Sequence, residues 1–493
     1  FLDIAIQLSH ALGELHQDDI THGALTPDHI FIDMNSGHVK LGGFGFIAQF
    51  THENEAIHDG EVIKNTLAYI SPEQTGRMNR SIDYRTDLYS LGICFYHMLT
   101  GSVPFMDLHP MRMFHAHIAR HPVSPSDIMP SIPRPLSEII LRLLQKTPEE
   151  RYQSSLGLKA DLETCLSELK KNGTIPPFHI GRQDISKRFN IPQKLYGRDE
   201  DIQKLLSAYE RICRGGKEIM LITGPPGIGK TALIRELDKV IVEKNGYFIS
   251  GKYEQLRKDV PLSALIQAIM GLVRDMLSES QRNISAWKDM ILNAVGNNGR
   301  VITDVIPEVE LIIGRQPDLA VLNPEETKNR FNFVIERFME AIATPDHPMI
   351  LFLDDLQWAD LASFDLLERL CGNPDIRHLF IIGSYRDNEV DSSHPLTAVI
   401  AQIEQHEVPV HTLALQPLKE FDVRQIIVDF LKSSHERGAY LSSLVHEKTG
   451  GNPFFISQFL KKLFEMKYIT FDPTIGWRWD QETLSSLQVT DNL

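Results

Sequence analysis

Apolar residues at Phe1, Ile4, Ala5, Leu8, Ala11, Leu12 and Leu15 recur at helical spacing, so the chain opens inside an amphipathic helix. Short strand-like pieces follow at 29–33 and 38–41, and further helical patterns run over 85–99 and 136–146. From about 166 to 194 the periodicity gives way to Lys-Lys-Asn-Gly, Pro-Pro and polar residues, which predicts a linker. Beyond it strands and helices alternate, the pattern of a parallel sheet covered by helices. Residues 219–223 form a strand running into a glycine-rich loop, and 232–244 form the helix after it. The runs 349–353 and 379–384 are continuously apolar, as central strands buried on both faces should be. Between the loop and those runs, Phe331, Val334, Phe338 and Ile342 share one face of a helix over 329–343. After Phe455 a helix to about Met466 and a hairpin over 471–479 suggest a winged-helix-like ending.

At 493 residues the chain exceeds what one core supports, so two or three domains are expected. Its 42% hydrophobic and 23% charged content is ordinary for a globular protein. A formal charge of −15 argues against nucleic acid as the main partner. Cys94, Cys165, Cys213 and Cys371 form no CxxC pair, which fits buried thiols in a reducing compartment. No apolar run reaches the ~18–20 residues of a membrane helix, so no membrane segment and a cytoplasmic location are expected. The chain starts at Phe1 rather than Met and ends in Asp491-Asn492-Leu493, which reads as a piece of a longer protein.

The chemistry begins with Gly224-Pro225-Pro226-Gly227-Ile228-Gly229-Lys230-Thr231, a P-loop pattern placed between a strand and a helix. Glycines let backbone N–H groups curl around phosphate oxygens with no Cβ in the way, and the helix N-terminus adds partial positive charge. The motif assigns Lys230 to the terminal phosphates and the Thr231 hydroxyl to Mg²⁺. Downstream, the apolar run 349–353 ends in Asp354-Asp355. Two acids after a strand are often only a turn; with the P-loop upstream, Asp354 becomes the metal-associated carboxylate. Asp355 becomes the residue that orients or deprotonates the attacking water. ATP and Mg²⁺ are the cofactors this implies, with slow ATPase activity.

Residues ~190–480 resemble the STAND class of AAA-related signal-transduction ATPases. Leu195-Tyr196-Gly197-Arg198-Asp199-Glu200 is similar to that family's first motif, which implies a place for Arg198 near the nucleotide base. The stretch from Leu353 to Asp360 resembles its metal-site strand, and Gly383-Ser384-Tyr385-Arg386-Asp387 its sensor strand, which implies Arg386 near the γ-phosphate in a catalytic role. Gly451-Asn452-Pro453-Phe454-Phe455 resembles the segment whose proline packs on adenine. Each has a plainer alternative: Arg198 capping or pairing with a nearby acid, Arg386 on the surface, Pro453 opening a helix.

Residues 1–170 resemble the C-terminal lobe of a Ser/Thr protein kinase. His22-Gly23-Ala24-Leu25-Thr26-Pro27-Asp28-His29 falls on the catalytic loop, Val39 to Gly45 on the strand leading to D-F-G, Ser71-Pro72-Glu73 on A-P-E, and 83–92 on the helix after it. The departures concern the chemistry. Ala24 stands at the catalytic Asp, Thr26 at the neighbouring Lys, His29 at a metal-binding Asn and Gly43 at the metal-binding Asp. The resemblance therefore implies a pseudokinase lobe, fastened by a Glu73–Arg151 ion pair and by Asp87 accepting backbone N–H groups of the degraded loop. His22 and His29, with no third ligand, read as structural.

The expected architecture is multidomain. A mostly α kinase C-lobe (1–170) is followed by a linker (171–194), an α/β P-loop ATPase core with a parallel sheet (195–415), and a helical, winged-helix-like lid (416–493). This order resembles the N-terminal half of multidomain sensor histidine kinases. The expected function is an ATP/ADP-dependent switch acting on signalling domains downstream or in trans. An active Ser/Thr kinase, an AAA-type remodelling ATPase and a DNA-binding regulator are the alternatives.

Overall fold

The computed structural model describes the chain except residues 44–65, 77–79, 108–109, 185–188, 190, 256–260, 278, 280, 407, 432–434, 473–475, 480–483 and 485–493. Phe44 and Gly45 of the D-F-G-like segment, part of the expected linker and the tip of the expected hairpin lie outside the described residues. Two units are formed, Phe1–Gln193 with Ile469–Arg478, and Lys194–Tyr468 with Trp479–Leu493.

In the first unit the opening helical repeat becomes α1 (Leu2–Gln17), with Leu2, Ala5, Leu8 and Leu12 buried. Strands β1 (Ile30–Ile32) and β2 (Val39–Leu41) pair antiparallel. Helix α2 (Arg85–Thr100) is buried without a break from Arg85 to Tyr96, so it runs through the core, and it stops at Gly101 with φ +75°. Helices α3 (Arg134–Leu143) and α4 (Ser155–Asn172) complete the packing. The polar sequence expected to be linker from 166 is still helix to Asn172, because α4 buries Leu158, Leu162 and Cys165 on one face and ends only at Gly173, φ +68°. Lys170 and Lys171 sit in its last turn, where the helix dipole favours cations.

The second unit opens with α5 (Asp199–Cys213) and is built on a parallel sheet. Its strands are β3 (Lys217–Thr223), β4 (Tyr247–Lys252), β5 (Met349–Asp354), β6 (Leu379–Tyr385) and β7 (Val410–Ala414), ordered β4-β5-β6-β3-β7. The continuous apolar runs have a direct explanation. Met349, Leu351 and Leu353 enter the core on one face of the sheet, while Ile350 and Phe352 enter the core on the other. Leu379 and Ile381 alternate with Phe380 and Ile382 in the same way. β4 and β7 are the edges, and their partial burial hid them from a search for apolar runs. The helix after the glycine loop is not the single one expected: α6 (Lys230–Ile234) tightens into a 3₁₀ turn over Arg235–Leu237 before helix resumes at Asp238–Glu243. Residues three apart eclipse in such a turn, and Arg235 pairs with Asp238 there at 3.7 Å. Further along, α7 (Pro324–Ile342) buries Val334, Phe338 and Ile342 as its pattern predicts. After β7 come α8 (Glu420–Leu431), α9 (His435–Thr449) and α10 (Pro453–Glu465); the hairpin strands that follow, β8 (Ile469–Asp472) and β9 (Gly476–Trp479), fall in the first unit except for Trp479. No helix among the described residues is long and apolar enough to cross a membrane.

Candidate functional site

The carboxyl ends of parallel strands face one edge of the sheet, and the order of strands opens a crevice where connections diverge. β3 delivers the glycine loop to that edge, β5 delivers Asp354, and β6 lies between them carrying Ser384. The loop carbonyls are all engaged. Lys230 Nζ donates to Gly224 O at 2.6 Å and to Pro225 O at 3.3 Å. Asn452 Nδ2 donates to Pro226 O at 2.9 Å, and Phe454 N reaches Gly227 O at 3.3 Å. Arg198 donates from one guanidinium nitrogen to Ile228 O at 3.3 Å and to Gln416 O at 2.7 Å, and pairs with Asp201 at 3.6 Å. Ile228 N turns back to Pro225 O at 3.4 Å, while the first turn of the helix after the loop has the N–H groups that a helix N-terminus leaves without an intrahelical partner. Gly227 has φ +77°, and a Cβ there would stand 2.6 Å from Phe454 Cβ, so this position needs glycine twice over.

Asp354 and Asp355 are both buried. Asp354 Oδ2 lies 3.4 Å from Thr231 Oγ1, and its Oδ1 accepts from Ser384 Oγ and from Asp355 N, the latter at 3.1 Å. Asp355 adopts φ +56°, which turns its side chain out of the strand line. It accepts from Gln357 Nε2 at 2.9 Å, pairs with Lys252 Nζ at 3.1 Å and lies 3.6 Å from Arg386 Nε. Arg386 is itself held, by Glu389 at 2.7 Å and over the Trp358 ring at 4.8 Å. Burial lowers the pKa of Lys230, against the pull of Asp355 and Asp354. At Lys252 burial acts the same way, but the hydrogen bond to Asp355 and both carboxylates raise its pKa above the ordinary lysine value. Thr231 and Asp354 present hard oxygen donors side by side, a set that suits Mg²⁺.

The predicted residues Gly224 to Thr231, Asp354, Asp355 and Arg386 thus share one edge of the sheet, with Arg198 bonded to the loop beside them. Pro453 occupies the first turn of α10, whose start lies against the loop. Lys252, Gln357 and Asn452 were missed. Lys252 could have been found only from strand register, because it pairs laterally with Asp354 across β4 and β5.

In the first unit, the Asp87 carboxylate accepts His22 N at 2.8 Å and Gly23 N at 2.7 Å, and bonds His16 Nε2 at 2.9 Å. Arg151 meets Glu73 through two hydrogen bonds, at 2.7 and 2.8 Å, and Thr86 adds a third to Glu73 at 2.8 Å. Burial alone would raise the pKa of Glu73, but Arg151 and these bonds hold it below the usual carboxylate range. His22 Nε2 donates to Gly42 O and His29 Nδ1 to Ala24 O, each at 2.7 Å. A Cβ at position 43 would overlap the His29 ring, so His29 fills the space that a side chain at 43 would need.

Residues 2–161 match the protein kinase domain family and residues 194–382 the AAA ATPase domain family. Hybrid signal transduction histidine kinase G of Dictyostelium discoideum is 30% identical over 87% of this chain, and Histidine protein kinase 1 of Candida albicans 24% identical over 73%. The chain spans only 15% and 16% of those two relatives. Serine/threonine-protein kinase Pkn1 of Myxococcus xanthus is 36% identical over 33% of the chain, with 23% of that protein covered. The chain therefore carries a protein kinase domain followed by an AAA ATPase domain.

Proposed function

We propose that this chain is the regulatory part of a signalling protein, in which an ATP/ADP-dependent switch works beside a pseudokinase unit. The carrying observation is the sheet edge that joins the phosphate loop, the Thr231–Asp354 pair, and Asp355 beside Arg386. In this reading the loop N–H groups and Lys230 bind the phosphates, and Thr231 and Asp354 hold Mg²⁺. Bound Mg²⁺ neutralises phosphate charge. Asp355 accepts a proton from the attacking water, and Arg386 steadies charge at the terminal phosphate. Arg198 and Pro453 border the nucleotide, and hydrolysis is slow, so the bound state lasts long enough to signal.

Ala24, His29 and Gly43 support the pseudokinase part. The protein-kinase mechanism needs a carboxylate to accept the substrate hydroxyl's proton and another to hold metal. Ala24 has none to offer, and the His29 ring closes the space at 43. The likeness to histidine kinases suggests the output, a histidine kinase module outside residues 1–493.

Titration calorimetry with Mg·ATP tests the reading. Lys230→Ala is expected to abolish binding, since the variant loses the cation that faces the phosphates. Equal affinity in wild type and variant would sink it.

A further inference from the structure

Asn452 uses both ends of its side-chain amide, and each end serves a different element. Oδ1 accepts from Phe454 N at 3.0 Å and so caps α10; Nδ2 donates to Pro226 O at 2.9 Å and so holds the phosphate loop. The reverse orientation would set oxygen against oxygen and N–H against N–H, which fixes the assignment. The residue is buried, and backbone hydrogen bonds hold the segment around it. Asn452 N bonds Thr449 O at 3.1 Å, Ile456 N bonds Asn452 O at 2.9 Å, and Leu418 N bonds Gly451 O at 2.8 Å. Phe454 N is shared with Gly227 O, where glycine admits the helix backbone against the loop.

We propose that Asn452 is a positioning residue that couples the phosphate loop to the lid helix α10. This rests on the nucleotide-switch reading and adds its internal connection. Pro226 lies in the loop whose N–H groups receive phosphate, so a ligand that fixes the loop also fixes the acceptor of Asn452. The cap and the loop contact belong to one planar group, so the first turn of α10 is ordered with them. Coupling of this kind is reciprocal: what orders the loop orders the helix, and a helix held in place tightens the loop's grip on phosphate.

Two substitutions separate the coupling from the cap. Asn452→Asp keeps an oxygen for Phe454 N but turns a carboxylate oxygen towards Pro226 O. Asn452→Ser keeps a capping hydroxyl and supplies no reach to the loop. Both variants are compared with wild type by Mg·ADP calorimetry and by hydrogen exchange of residues 453–458 at saturating Mg·ADP, with nucleotide-free melts alongside. Affinity is expected to fall about 3- to 10-fold, the factor one hydrogen bond corresponds to. The wild-type helix should gain exchange protection on binding, and in both variants it should stay at its nucleotide-free level while the nucleotide-free chain, though less stable, still melts as a folded protein. Protection that persists in Asn452→Asp overturns the coupling and leaves the switch reading intact. Nucleotide-free melts that collapse in both variants also overturn it, because Asn452 would then serve the fold alone. A wild-type chain that binds no nucleotide overturns both.

Discussion

Asp354 and Asp355 are adjacent in sequence and share Lys252, at 3.8 and 3.1 Å, but their other partners differ. Asp354 ends β5 beside Thr231 and Ser384, while the positive φ of Asp355 sends its carboxylate to Lys252, Gln357 and Arg386. The two Asn substitutions should therefore separate. Asp354→Asn is expected to weaken Mg²⁺-dependent nucleotide binding. Asp355→Asn should leave affinity nearly unchanged and slow single-turnover hydrolysis by about 10²–10⁴-fold, the contribution of a positioned general base. Asn tolerates left-handed backbone, so the second variant tests the carboxylate and not the turn. Hydrolysis at the wild-type rate would remove Asp355 from the base role. The order of apolar strand and acids was legible in sequence, because strand and turn are local. The partners of Asp355 were not: Lys252 comes from a different strand, and its charge looks like that of any surface lysine.

Among the elements, the strands read most clearly, since a strand buried on both faces leaves an unbroken apolar run. Edge strands β4 and β7 leave none, and α4 outlasts its apolar pattern because one buried stripe is enough to carry a polar helix end. The Glu73–Arg151 pair ties the segment before α2 to the segment before α4, and it is buried on both sides. Removing one partner from such a pair costs about 3–5 kcal/mol. Arg151→Ala should therefore lower the unfolding free energy of the first unit by that amount in urea, and Glu73→Gln should lower it less. The pH dependence follows from the depressed pKa of Glu73. Its contribution is full above the ordinary value of 4.5 and is lost as the pH falls through the lower folded-state value. In Glu73→Gln that part of the acid sensitivity should disappear, measured as the change of urea midpoint with pH. An unchanged acid profile would count against the pair as its source.

At the scale of the molecule, a protein kinase domain and an AAA ATPase domain share one chain, and positions 24 and 43 of the first hold Ala and Gly. Purified chain supplied with labelled ATP should transfer no phosphate to Ser, Thr or Tyr of a peptide mixture. Incorporation that survives Lys230→Ala would assign transfer to the first unit and refute its pseudokinase status. The sequence by itself determined the glycine-rich loop between strand and helix, the paired acids at the end of an apolar strand, and the Ala and Gly at 24 and 43. Each is a local pattern, or a residue type that no neighbour can replace. Only the tertiary structure decided which polar groups meet. The crossover order of the sheet sets Lys252 beside Asp354, and the path of the chain after β7 returns Asn452 to Pro226 from 226 residues away. Periodicity records which face of an element is buried, and it carries no information about which distant donor will find a given acceptor.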